Sequence, residues 1–265
     1  MSATMSEEEV PRTDTPVLRL KNVSKHFGSI IAVDDVSLDI HRGEVVGLVG
    51  DNGAGKSTLV KLVAGVHQPT DGTIEIDGEV VELSEPEVAR RLGIETVYQD
   101  LALVNELQVD GNLFLGREPT RGGLLGKLFG VLDLPGMHKQ GKAAIEELHV
   151  RIPALTAPVR RMSGGQRQGV AIARAVHWGS KMLMLDEPTA ALGKEQSEEV
   201  QNIIRGMRER QIPVLVISHN LPDIFAIVDR IVVMRHGQIA MSAKIEDTNM
   251  TEVVEYMVGS KGDMD

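Results

Sequence analysis

Apolar and polar residues alternate along VLRLKNVSKHF (17–27) and IAVDDVSLDI (31–40). Period-two alternation places every second side chain on a buried face, so both stretches are expected as half-buried antiparallel strands. GEVVGLVG (43–50) is instead a continuous apolar run ending in glycine, the pattern of a strand covered on both faces. Leu59, Leu62 and Val63 then recur at helical spacing over about 55–64. GTIEIDGEVVEL (72–83) reads as a hairpin turning at Asp77-Gly78, and GIETVYQD (93–100) as another short strand. From about 101 to 178 the alternation fades, and helical stretches such as HKQGKAAIEELHV (138–150) stand between Gly and Pro breaks. KMLMLDEP (181–188) and VLVISHN (214–220) are two more buried strands, separated by the helix KEQSEEVQNIIRGMRER (194–210). RIVVMRHGQIA (230–240) closes with a hairpin around His236-Gly237. The order predicts an α/β fold with a helical subdomain inserted at about 101–178. Residues 1–15 are expected as a flexible tail, 16–246 as the main domain and 247–265 as a short polar, helical tail.

Two glycine-rich loops carry candidate chemistry. GDNGAGKST (Gly50, Asp51, Asn52, Gly53, Ala54, Gly55, Lys56, Ser57, Thr58) fits G-x-x-x-x-G-K-[ST] between an apolar strand and a helix, the context of a P-loop. Its glycines let backbone N–H groups converge on phosphates, and the helix start adds a favourable dipole. Lys56 is expected to reach the β- and γ-phosphates and Ser57 to bind Mg²⁺. Asp186 ends the apolar run MLMLD, where a buried strand would present it to the same metal. Glu187 follows, placed to polarise an attacking water. The second loop, RRMSGGQRQ (160–168), offers a hydroxyl, two backbone amides and a side-chain amide at a helix start. Standing alone, it would read rather as a glycine C-cap or a turn between helices.

Composition narrows the class. Hydrophobic residues make up 42% and charged residues 25% of 265, ordinary for a globular chain with a sizeable core. The net charge of -10 disfavours a nucleic-acid partner, because that binding depends on Lys and Arg displacing counterions. Aromatics at 3% leave little for a base-stacking platform. With no cysteine, disulfides, thiolate metal sites and cysteine nucleophiles are excluded. The start MSATMSEEEVPRTDTP lacks the basic-then-apolar order of a secretory signal, and no apolar run approaches the roughly 20 residues of a membrane span. Service to a membrane process would therefore need another chain to span the bilayer.

GDNGAGKST, VYQD, MSGGQRQ, LMLDEPTAAL and ISHN occur in the order found in the nucleotide-binding subunits of ABC transporters. The resemblance runs from about 17 to 240. It implies a P-loop NTPase of the ABC cassette type: a mainly parallel sheet core, an antiparallel β subdomain and an inserted helical subdomain. It implies ATP and Mg²⁺ as cofactors. MSGGQ resembles the family's signature motif, with Met162 where leucine is usual, a swap of similar volume. The resemblance gives Ser163, Gly164, Gly165 and Gln166 to the ATP held by a partner subunit, and so implies a head-to-tail homodimer with two shared sites. Gln99 resembles the Q-loop glutamine, a contact to Mg²⁺ and to the membrane partner; alone it would be a polar surface residue. His219 resembles the switch histidine that senses the γ-phosphate; alone it would be a structural residue at a strand end. Phe27 sits where the family stacks an aromatic on adenine, with a buried core Phe as the other reading. Gly193 departs from the pattern, since many members carry aspartate there, and this puts the coupling between sites in question.

Finer resemblance, in VYQDLALVNELQVDGNLFLGREP and GDNGAGKSTL, points to ATPases of ribose-, galactose- and fructose-type importers, in their single-cassette branch. Such a subunit sits peripherally on the cytoplasmic face of the inner membrane, bound to permease subunits and, through them, to a periplasmic or extracellular sugar-binding protein. The alternatives are an ABC ATPase for another substrate and a soluble one acting on DNA or ribosomes. A P-loop kinase or GTPase fits less well, because the chain has the signature loop and no N-K-x-D motif. The apolar residues of GGLLGKLFGVLDLPG (122–136) would face a membrane subunit or fill the subdomain core.

Overall fold

A computed structural model describes residues 15–122 and 130–260. The expected N-terminal tail and the centre of GGLLGKLFGVLDLPG lie outside them, apart from Thr15. Two sheets form the frame. The first is antiparallel, in the order β2-β1-β4-β5, from β1 (Leu18–Phe27), β2 (Ile30–Ile40), β4 (Asp71–Ile76) and β5 (Glu79–Val81). The second has the order β10-β9-β3-β8-β7-β6, from β3 (Val45–Gly50), β6 (Ile94–Val97), β7 (Met182–Asp186), β8 (Val214–Ile217), β9 (Arg230–Arg235) and β10 (Gln238–Lys244). It is parallel throughout except for the β9–β10 hairpin at its edge.

The continuous apolar runs are explained by what covers them. Val46, Leu48, Met182, Met184, Leu215 and Ile217 point into one core, shared with Leu18, Leu20, Ile74 and Ile76 of the antiparallel sheet and Leu59 and Leu62 of α1 (Lys56–Val63). The intervening Val45, Val49, Leu183, Leu185, Val214 and Val216 point into a second core. That core is closed by α3 (Val109–Leu113), α4 (Leu134–Glu147), α5 (Gly164–His177), α6 (Lys194–Glu209), α7 (Leu221–Ile227) and α8 (Met250–Val258). A strand between two dry layers has no polar face to alternate with.

Asp77 and Gly78 turn the β4–β5 hairpin at φ 50° and 84°, as a two-residue loop matched to strand twist requires. The short helices α2 (Pro86–Arg91), α3 and α7 were not anticipated, because five to seven residues do not display a period. The polar tail expected from 247 onward needs correction. Its helix α8 is amphipathic, and Val253 is wholly buried, with Tyr256 and Met257 packed on the same core. Among the described helices, none is long and apolar enough to cross a membrane. Of the described part of GGLLGKLFGVLDLPG, Val131, Leu132 and Leu134 are exposed.

Candidate active site

The loop Gly50–Thr58 joins the end of β3 to α1. Gly55 caps that helix at φ 103°, and a Cβ there would lie 2.5 Å from the Ala32 carbonyl oxygen, so both conformation and space demand glycine. Lys56 Nζ folds back over the loop and donates to the carbonyls of Gly50 (2.7 Å) and Asp51 (2.9 Å). Burial pulls the Lys56 ammonium below its usual range, against the opposing charges of Glu187, Asp51 and Asp186. Asp186 behaves reciprocally. Burial first, then the Glu187 charge, raises its carboxyl, while Lys56 and Lys61 lower it. The P-loop lysine and both acidic residues thus share one electrostatic environment, although Asp186 and Glu187 lie 130 and 131 positions beyond Lys56 in the chain.

Glu187 leaves β7 at φ 50°, a left-handed turn held by its N–H donating to the Ile217 carbonyl (2.8 Å). The turn aims its carboxylate at the end of β8. There Oε1 accepts from the backbone N–H of His219 (3.1 Å) and pairs with His219 Nδ1 (2.6 Å), while Oε2 accepts from Ser218 Oγ (3.0 Å). The Ser218 hydroxyl oxygen also accepts from Asn220 N (3.1 Å). Asn220 caps α7 and donates to Asp223 Oδ2 (2.9 Å). The same carboxylate takes the Thr189 hydroxyl (2.7 Å) and the Gln201 amide (3.0 Å). Asp223 therefore ties the loop after Glu187, helix α6 and the loop after His219 together. Nothing in the sequence marks this residue beyond a single acid in a helix first turn. Ser218, within VLVISHN, carries no signal of its own in the sequence.

Gln99 lies in an exposed turn two residues past Val97, which pairs with Leu185 beside Asp186. Phe27 ends β1 and is 43% exposed, which excludes the core reading. His67 meets its ring edge-on at 5.2 Å, and Lys25 Nζ stands 5.3 Å from its centroid.

The second glycine loop starts α5. Ser163 and Gln166 form a reciprocal capping box: Gln166 N donates to Ser163 Oγ (3.2 Å), and Ser163 N to Gln166 Oε1 (3.0 Å). The P-loop flanks a cavity of about 270 Å³, lined by Asp51–Ala54, Arg235, His236, Met257 and Val258. Gly165 and Gln166 line a different cleft, of about 950 Å³, between α4, α5 and α6, and the two hollows share no residue. Gly193 is the N-cap of α6 at φ -72°, with open space where a Cβ would stand, so the backbone does not itself require glycine there.

The family model for ABC transporters matches residues 33–190. A fructose import ATP-binding protein from Rhizobium meliloti is 42% identical over 93% of this chain and 95% of its own. A xylose/arabinose import ATP-binding protein from Sulfolobus acidocaldarius is 43% identical over 91% and 93%. A ribose import ATP-binding protein from Rubrobacter xylanophilus is 42% identical over 92% of this chain, which spans only 48% of that relative. Among solved structures, a nucleotide-free ATP-binding cassette of an ABC transporter superposes with a TM-score of 0.76 at 27% identity, covering 91% of this chain and 98% of its own. A dimeric bacterial ABC transporter cassette gives 0.70 at 25% identity, covering 86% and 98%. With the P-loop, the Asp186-Glu187 pair and the capped Ser163–Gln166 loop in one α/β frame, the chain belongs to the ATP-binding cassettes of the ABC transporter family.

Proposed function

We propose that this chain is the ATP-binding and hydrolysing subunit of an importer that energises uptake of a monosaccharide of the ribose, galactose or fructose type. The observation that carries the ATPase reading is the Glu187 carboxylate, fixed by His219 and Ser218 in the environment of Lys56 and Asp186. Backbone amides of Gly50–Thr58 and the Lys56 ammonium hold the phosphates, and Phe27 offers its exposed ring to adenine. Ser57, Asp186 and Gln99 supply hydroxyl, carboxylate and amide oxygens, a hard donor set suited to Mg²⁺. When bound, Mg²⁺ neutralises charge developing on the transferred phosphoryl group. Glu187 polarises the attacking water, and His219 orients Glu187 and faces the γ-phosphate.

The P-loop and the Ser163–Gln166 loop open different helices, α1 and α5, and the likeness to a dimeric bacterial ABC transporter cassette supports sites completed between two copies arranged head to tail. The cassette would act on the cytoplasmic face of the inner membrane as a peripheral subunit. Its partners there are permease subunits, which receive a sugar from a periplasmic or extracellular binding protein. The identities to sugar import subunits support the substrate class. Within that reading, residues 16–246 together with α8, which packs on their core, form the ATP-binding domain, with about 101–178 its helical subdomain. Affinity purification from solubilised membranes should recover a multi-span membrane protein. Recovery of ribosomes or DNA with no membrane partner would overturn the importer assignment.

A further inference from the structure

The side-chain oxygen of Gln196 lies 3.4 Å from the backbone nitrogen of Gly165 and accepts its N–H. Gln196 stands in the first turn of α6 and Gly165 in the first turn of α5, so this bond joins two helix starts. Ser163 and Gln166 satisfy each other through the capping box, whereas the Gly165 amide takes its partner from another element. Both glycines leave room for this approach. A Cβ on Gly165 would lie 3.1 Å from Gln196 Cβ and 3.2 Å from its carbonyl oxygen, and one on Gly164 would lie 2.5 Å from Leu192 Cδ2. A helix-start N–H aimed at an amide oxygen is the arrangement that otherwise receives an anion oxygen.

We infer that Gln196 is a positioning residue that holds the Gly165 N–H in the separated subunit and releases it to the phosphates of ATP carried by the second copy. The inference rests on the head-to-tail reading above. The contact is longer than the usual 2.7–3.2 Å for N–H···O, and it is neutral, so a charge-assisted bond to a phosphate displaces it. Gln196 also follows Glu187 by nine residues along the loop tied down at Thr189. The segment that carries the water-polarising carboxylate thereby sets the state of the other half-site.

The test is ATP-driven dimerisation of the full chain in a Glu187→Gln background, followed by light scattering through an ATP titration. Binding of a fluorescent ATP analogue, below the concentration at which dimers form, gives the affinity of the single subunit. Gln196→Ala and Gln196→Ser, which both free the N–H, should lower the ATP needed for half-maximal dimer about threefold, within the range for one neutral hydrogen bond. Gln196→Glu, which binds the N–H more firmly and repels phosphates, should raise it about tenfold. The affinity of the single subunit should be the same in all three. Weaker dimerisation in both Ala and Ser variants would make Gln196 a support and overturn the inference, as would variants equal to the parent. A parent that forms no ATP-dependent dimer would overturn the head-to-tail reading itself, and the inference with it.

Discussion

One oxygen of Glu187 receives two bonds from His219: the backbone N–H at 3.1 Å and the ring Nδ1 at 2.6 Å. The carboxylate is thus oriented by bonds within the protein itself. Preorganisation of this kind lowers the reorganisation needed as charge develops in the transition state. Glu187→Gln keeps the shape and removes the charge. Phosphate release should fall about 100-fold or more while ATP binding persists, and ATP-bound dimers should accumulate. Normal turnover in this variant would remove Glu187 from its role.

Asp223 has no part in the proposed binding of phosphate or water, yet it joins Thr189, Gln201 and Asn220. Asp223→Ala should lower kcat about tenfold through misplacement of Glu187 and His219, with the ATP KM within about twofold. Asp223→Asn, which keeps one acceptor, should fall between. Steady-state kinetics on the three proteins decides it; a changed KM with an unchanged kcat would count against a network acting on Glu187.

Burial and the neighbouring Glu187 raise the Asp186 carboxyl in the folded protein. The native state then holds this proton to higher pH than the unfolded chain does. Its contribution to stability is greatest at acid pH and declines as pH rises through the carboxylate range to the folded value. Above the folded value the cost of the charge is present in full. Asp186→Asn should therefore raise the Tm of the nucleotide-free protein, by about 2–4 °C for each kcal/mol relieved in a chain of this size, while abolishing hydrolysis. Thermal melts from acid to neutral pH should also show a flatter profile. A lower Tm in the variant would contradict the sign.

Lys56→Ala damages the P-loop half of a shared site, and Ser163→Arg damages the other half. A mixture of the two variants should assemble one intact site per heterodimer, while either variant alone has none. Mixing should restore ATP-dependent dimers in a crosslinking assay. Failure of the mixture alongside a competent parent would place both halves of each site within one chain.

Legibility of the sequence followed the length and the physics of each feature. The apolar runs of β3, β7 and β8 were readable because two dry layers leave no polar positions in them. The P-loop was readable because its spacing, strand and helix occur together. The Glu187–His219 pair was legible only as two residues in separate motifs, since their contact depends on β7 and β8 being neighbours. Asp223, Thr189 and Gln196 act through bonds between elements distant in the chain, and no local pattern encodes those. Helix α8 was under-read because its apolar residues, Val253, Tyr256 and Met257 among them, are interleaved with Glu252 and Glu255 in only nine residues, and which of them meet the core depends on elements distant in the chain.

Lys56 Nζ is bonded to the carbonyls of Gly50 and Asp51. Its loop is therefore already folded into a ring by its own side chain. Arrival of phosphates exchanges one set of acceptors for another and leaves little chain to freeze. Capture at this loop should accordingly be fast, with the slow step of the cycle left to the meeting and parting of whole subunits.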